Sequence, residues 1–134
     1  MSVYLLDTNI VSFLLRRDPV VERNLEKAFR DNATIILSPV VYYEIKRGLI
    51  KHDAKNQTAF FERLIPRFAW RDVERPDWDE SARLWVNRAM AGRPIEDADL
   101  LIAAQAKRLN AILVTDNAKD FDGLKVAIEN WREG

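Results

Sequence analysis

The chain has no cysteine, a single histidine and four glycines, and each shortage removes a class of chemistry. Without cysteine there is no disulfide, no thiolate nucleophile and no cysteine-ligated zinc. The lone histidine, His52, lies among Lys51, Asp53 and Lys55 and reads as an exposed residue. A Ser/His/Asp triad would have to use it, and no nucleophile elbow accompanies it. Four glycines supply neither the Walker loop nor the dinucleotide fingerprint, which need glycine for close backbone approach to phosphate. No apolar run approaches the roughly 20 residues that span a bilayer. The start, MSVYLLDTN, lacks the basic region and long apolar core of a secretory signal, so the expectation is a cytoplasmic protein without membrane contact. Excess charge is lacking too: 21 Lys/Arg offset 21 Asp/Glu, so bulk attraction does not hold the chain on a polyanion.

A length of 134 residues suits one domain with a single core, taken as residues 1–134. Val3–Leu6 and Thr34–Leu37 read as short buried strands, and Ala111–Thr115 as a clear later one. Asp18-Pro19 and Ser38-Pro39 each offer a cap followed by proline, opening helices that run to about Arg30 and through Glu44. A further helix is expected over about Ala54–Leu64, a possible strand in FAWRDV, and a short last strand at Lys125–Ile128. Asp77 is placed as the cap of a helix whose Trp78, Ala82, Trp85 and Ala89 form one apolar stripe, with Trp85 in the core. Gly92 and Pro94 break the chain before a helix over about Glu96–Leu109. Alternating strands and helices predict an α/β fold: a parallel sheet of about four to five strands flanked by helices, joined by right-handed crossovers.

Four acids then become informative: Asp7, Glu44, Asp99 and Asp116. Asp7 ends the run VYLL and Asp116 follows AILVT, so neighbouring parallel strands would bring them together beyond their carboxyl ends, where such sheets bind ligands. Packed carboxylates repel unless a cation holds them, and oxygen ligands suit Mg2+ or Mn2+. Each acid also has a plain reading. Asp7 can cap a helix, Glu44 can be a solvated mid-helix residue, and Glu96, Asp97 and Asp99 can all complement a helix dipole. Glu96 and Asp99 share a face and Asp97 does not, but spacing alone leaves open which acid faces a site. Thr8 and Asn9 beside Asp7, and Thr115 and Asn117 beside Asp116, are further candidate contacts. Lys46 and Arg47 are candidates to orient Glu44 or to contact phosphate. Trp70 beside Arg71 is a candidate for stacking on a base. From Tyr42 to Arg75 eight Lys/Arg face five Asp/Glu, and from Pro76 to Leu100 three face six. A basic flank beside an acidic site suits a polyanion, although ordinary solvated helix faces explain the charges equally well.

The segments LLDTNIV, SPVVYYEIKRGL, GRPIEDADLLIAAQAKRLNAILVTDNAKDF and GLKVAIENW, in that order, resemble the PIN-domain ribonucleases, and most closely the VapC toxins of toxin–antitoxin pairs. The resemblance covers most of the chain. It implies that Asp99, the acid directly before the LIAA-type run, is the site residue, with Glu96 and Asp97 as capping or rim positions. It implies a fourth acid from TDNAKDF, which offers both Asp116 and Asp120. It further implies a Mg2+- or Mn2+-dependent endoribonuclease with Asp7 and Asp99 as main metal ligands, a homodimer, and a cognate antitoxin that blocks the site. A partner arginine paired with the carboxylates would suit that block, with apolar anchors in grooves near Tyr42, Tyr43, Phe60 and Phe61. Two other classes remain in view: a PIN-like module that only binds RNA or protein, and a small phosphatase or phosphoacceptor domain with Asp7 as nucleophile. The second is weakened by Asn9, which stands where the haloacid-dehalogenase pattern wants a second Asp.

Overall fold

Short branched runs too apolar to leave in water become the middle of the sheet in the computed structural model, which describes residues 1–133. Strands β1 (Val3–Leu6), β2 (Thr34–Leu37), β3 (Ala69–Trp70), β4 (Ile112–Val114) and β5 (Ile128–Glu129) lie in the order β3-β2-β1-β4-β5, with every pairing parallel. Parallel neighbours need long crossovers. These are supplied by α1 (Thr8–Leu15), α2 (Pro19–Arg30), α3 (Pro39–Lys51), α4 (Lys55–Leu64), α5 (Arg75–Met90) and α6 (Asp97–Arg108). The α/β architecture is the expected one.

Local chemistry sets the helix starts. The Asp18 carboxylate accepts from the backbone N–H groups of Val20 and Val21 at 3.0 and 3.1 Å, and the Ser38 hydroxyl accepts from that of Val40 at 3.2 Å. In each case proline follows at the first helical position, where its missing N–H costs nothing. Leu5, Ile35 and Leu113 on adjacent strands, with Ile10, Val21, Val41 and Phe61 from the helices, are wholly or almost wholly buried and make one continuous core.

The order of strands matters most for function. The chain lays β1, β2 and β3 outward in one direction, then returns to place β4 and β5 on the other side of β1. The reversal point falls between β1 and β4, whose carboxyl ends carry Asp7 and Thr115-Asp116. In open parallel sheets this crevice is where ligands bind.

Three expectations need correction. The last strand begins at Ile128, not Lys125, because Lys125 has φ +60°, a left-handed conformation incompatible with a strand. The fifth helix is capped from Glu74, and Asp77 sits in its first turn, where it accepts from the Glu74 backbone N–H at 2.9 Å. Its tryptophan stripe faces outward: Trp78 and Trp85 are 57% and 51% exposed, so Trp85 is not core. The inward face of α5 is instead Asp77, Ser81 and Leu84. Trp131 is the tryptophan that packs inside, edge-on to Tyr4 with ring centres 5.2 Å apart.

Candidate active site

Asp7 is the last residue before α1, in an extended conformation, and its backbone N–H donates to the Val114 carbonyl at 3.0 Å. This bond locks the end of β1 to the end of β4. One Asp7 carboxylate oxygen accepts from the Ile10 backbone N–H at 2.9 Å, so the residue does cap α1. Capping is not its only contact, because the Thr115 hydroxyl also bonds to the carboxylate. Burial pushes the Asp7 carboxyl up from the ordinary 3.8 to about 6, and the Asp116 charge adds to the rise. Hydrogen bonds from Thr115 and from the backbone of Ile10 and Asn9 work in the opposite direction and only partly offset it.

Asp99, in the first turn of α6, is also pushed up to about 6. Burial is the largest cause, followed by the charges of Asp7, Glu96, Glu44 and Asp120. Acids from four separate parts of the chain therefore share one field. Asp7, Glu44, Glu96, Asp99 and Asp120 line a single open pocket, together with Thr8, Asn9 and Asn117. Asp97 turns instead toward an apolar groove with Trp78 and Trp85. Of the three acids left open by spacing, Glu96 and Asp99 thus reach the pocket.

The remaining acids are held individually. The Thr8 hydroxyl donates to Glu44 at 2.5 Å, and the Arg47 guanidinium stands 3.6 Å from the other Glu44 oxygen. Arg47 also lies over the Tyr43 ring, while Lys46 pairs with Glu62 at 3.2 Å. Both cations named from the sequence therefore already have acidic partners. Asn117 donates from its amide to Asp120, and its backbone N–H donates to the Thr115 hydroxyl at 3.0 Å. Asp116 lies beside Asp7 rather than on the pocket wall, and its buried Oδ1 has no hydrogen-bond partner among the described residues.

The donor set fits a hard divalent cation. It is all oxygen, one buried carboxylate oxygen is orphaned, and two carboxyls are held above their ordinary range by burial and by neighbouring acidic charge. A dication would relieve each of these strains. Among the described residues, no group of three or more such side chains is already drawn together as a cation cage. The Thr8 hydroxyl and the Asn117 amide each hold one of the acids at the pocket.

One pocket residue was not anticipated. Arg88, near the end of α5, lines the acidic pocket. Nothing local marks it: its position depends on the chain reversing at Gly92, φ +69°, so that α5 ends beside the start of α6. Of the residues expected to flank grooves for a partner, Phe61 is fully buried and stacks on Tyr42, whereas Phe60 lines a groove with Leu15, Arg17 and Arg63. A different groove runs between α1, α3 and α4, lined by Ser12, Leu15, Ile45 and Leu49, and it shares Thr8 and Glu44 with the acidic pocket. His52 is exposed, as expected. Trp70 is 45% exposed but its ring N–H already donates to Asp72 at 2.7 Å.

The PIN domain family model matches residues 4–126. Ribonuclease VapC2 of Rickettsia felis is 30% identical over 131 residues, covering 96% of this chain and 98% of that protein. The tRNA(fMet)-specific endonuclease VapC of Shigella flexneri is 27% identical over 135 residues, covering 98% and 99%. Among solved structures, VapBC2 from Rickettsia felis bound to a promoter DNA fragment superposes with a TM-score of 0.84 at 31% identity, covering 96% of this chain and 98% of that one. No helix among the described residues is long and apolar enough to cross a membrane. The match to the family model and the near full-length likeness to the VapC ribonucleases lead to one conclusion: this chain belongs to the PIN-domain family, in its VapC branch.

Proposed function

We propose that this chain is a Mg2+- or Mn2+-dependent endoribonuclease, the toxin of a toxin–antitoxin pair, working in the cytoplasm as one PIN domain over residues 1–134. The observation that carries the reading is the pairing of Asp7 and Asp99: two carboxyls on different elements, both pushed to about 6, in a pocket lined by further acids. Perturbed acids converging in a cleft are the physical signature of a candidate functional site. The near full-length likeness to proteins named as ribonucleases, one of them specific for a tRNA, supports the substrate class.

Asp7 and Asp99 would be the main ligands, with Glu44 and Asp116 completing the set directly or through water. When bound, the cation supplies a more acidic water and neutralises charge at the scissile phosphate. The Thr8 hydroxyl bonds to the Glu44 carboxylate, and the orphaned buried oxygen of Asp116 is an acceptor left without a donor beside Asp7. Asp120, held by Asn117, lines the rim. Attack by water on phosphorus breaks the bond to the 3′ oxygen and leaves a 5′-phosphate and a 3′-hydroxyl. The proton lost by the attacking water passes to a carboxylate, and a proton from solvent completes the departing 3′-hydroxyl.

A partner fits the same surface. The groove between α1, α3 and α4 opens into the acidic pocket, so a segment anchored there would reach the carboxylates, where an arginine fork would match them. Neighbouring structures are toxin–antitoxin complexes, which supports an antitoxin as that partner. The outward stripe of Trp78, Trp85, Val86 and Met90 on α5 is the face we assign to a homodimer, since a single chain leaves it in water.

The test is incubation of the purified chain with single-stranded RNA and Mn2+, followed by mapping of the ends. Cleavage giving 5′-phosphate and 3′-hydroxyl ends is expected. Ends of 2′,3′-cyclic phosphate would overturn the mechanism. Calorimetric titration with Mn2+ separates this reading from a binding-only module: no heat of binding with all carboxylates intact would favour the module.

A further inference from the structure

Arg88 is the cation on the wall of the acidic pocket, and its charge is not used there. Its Nε donates to the Arg93 carbonyl at 2.7 Å and its Nη1 to the Asp122 carbonyl at 2.9 Å. Both partners are neutral. Among the described residues it forms no ion pair, although Glu96, Asp99 and Asp120 line the same pocket. Arg108, by contrast, is taken up by Asp77 and Glu74, and Arg47 by Glu44. A guanidinium carries five N–H groups, so two carbonyl bonds leave it donors to give.

The two carbonyls also fix where it stands. Arg93 belongs to the turn leading into α6 with Glu96 and Asp99, and Asp122 follows the short turn Ala118–Phe121 that holds Asp120. Arg88 therefore bridges the two acid-bearing loops on either side of the pocket. An RNA phosphate approaching Asp7, Glu44, Glu96, Asp99 and Asp120 meets five carboxylates of its own sign. An unpaired guanidinium on that wall is the group that makes the approach favourable, and its planar fork suits two phosphate oxygens.

We propose that Arg88 is a substrate-binding residue, seated by the Arg93 and Asp122 carbonyls so that its free N–H groups hold an RNA phosphate at the acidic pocket. The inference rests on the nuclease reading above. It goes beyond it in assigning the phosphate contact to a residue outside the acidic set, and to Arg88 rather than Lys46 or Arg47.

The test uses the full chain and a short fluorescein-labelled single-stranded RNA, with binding followed by anisotropy in Ca2+ over a range of salt. Arg88→Met should weaken binding by about tenfold or more, the size of one charge-assisted bond to phosphate. It should also lower the salt slope by about one ion. Arg88→Lys keeps the charge and should retain the slope and most of the affinity. Mn2+ binding by calorimetry without RNA should be unchanged or tighter in Arg88→Met, since a cation has left the pocket. If the lysine and methionine variants are equally impaired, with the wild-type slope and weakened Mn2+ binding, Arg88 only ties the loops and the proposal is overturned. Should Arg88→Met fail to fold, Arg88→Gln repeats the test, and a wild-type slope in that variant overturns the proposal. Wild-type protein that binds this RNA with the Arg88-dependent slope but does not cleave in Mn2+ supports the phosphate contact and overturns the nuclease reading instead. Wild-type protein that binds no RNA overturns the Arg88 assignment.

Discussion

Asp7 and Asp77 are the same residue type at nearly the same depth, 5% and 1% exposed, and each stands at the start of a helix. Their surroundings differ in one respect. Asp77 receives both arms of Arg108, at 2.7 and 3.0 Å, and the Glu74 backbone N–H besides. Among the described residues Asp7 receives backbone and hydroxyl donors but no cation, and the charge acting on it is that of another acid, Asp116. The first carboxylate is neutralised inside the fold and clamps α5 to α6. The second is left wanting a positive charge, and that want is what a divalent cation can meet. Burial of an acid therefore says little about function until its counter-charge is known.

The comparison breaks most visibly at Asp7. Asp7→Asn keeps the shape and the cap, because Asn caps as well as Asp. Losing a ligand removes several kcal/mol of stabilisation at the reacting phosphate, so cleavage should fall by about a thousandfold or more. The same substitution should leave the metal-free fold intact or more stable at about pH 8, since it removes a buried unpaired charge. A discontinuous cleavage assay with urea titration reads both effects, and loss of stability alongside activity would put Asp7 in the same class as Asp77.

The mirror experiment is Arg108→Met. It leaves Asp77 buried without its cation and should destabilise the fold by about 3 kcal/mol in a urea titration. Cleavage per folded molecule should not change. A fall in activity among folded molecules would show that the α5–α6 clamp also sets the site.

A pH series sharpens the contrast further. Asp99 titrates at about 6 in the folded chain against an ordinary 3.8, so its charged form is the disfavoured one. The stability this gives is complete below about 3.8 and is lost as pH rises through about 6. Metal-free wild-type protein should therefore lose roughly 1–2 kcal/mol relative to Asp99→Asn between about pH 4 and pH 8, a figure reduced for the partial exposure of the site. Saturating Mn2+ should abolish the difference in slope. Equal slopes without metal would mean that neither burial nor the neighbouring acids disfavour the Asp99 charge.

The smallest effect is expected at the outward face of α5. Trp85→Ala should change the stability of the single chain by only about 1 kcal/mol or less, because half the ring already lies in water. Sedimentation should nevertheless show a shift from dimer to monomer. A large stability loss without such a shift would mean that the ring belongs to the core after all.

How much of this was legible in the chain itself follows from the range of the forces involved. Short branched runs and a cap followed by proline act within a few residues, so β1, β2, β4 and the starts of α2 and α3 could be read directly. Periodicity also showed that Trp78 and Trp85 share a face, but not which face turns inward. That was decided by α6: Arg108 draws Asp77 inward, and the tryptophans are left outside. The strand beginning at Ile128 was displaced by a left-handed Lys125, a backbone state that no local pattern announced.

The site divides along the same line. Sequence alone determined which residues are acids, that Asp7 and Asp116 end apolar runs, and that Glu44 lies early in a helix without much polar face. Sequence did not determine their distances, their counter-charges or their depth, because these depend on strands that meet only through the β1–β4 pairing. The tertiary structure decided that Glu96 and Asp99 face the pocket while Asp97 does not, that Asp120 lines the rim while Asp116 lies beside Asp7, and that Arg88 stands among them. Charge interactions act through space rather than along the chain, so residues 81 positions apart, such as Asp7 and Arg88, acquire a common chemistry only once the fold has closed.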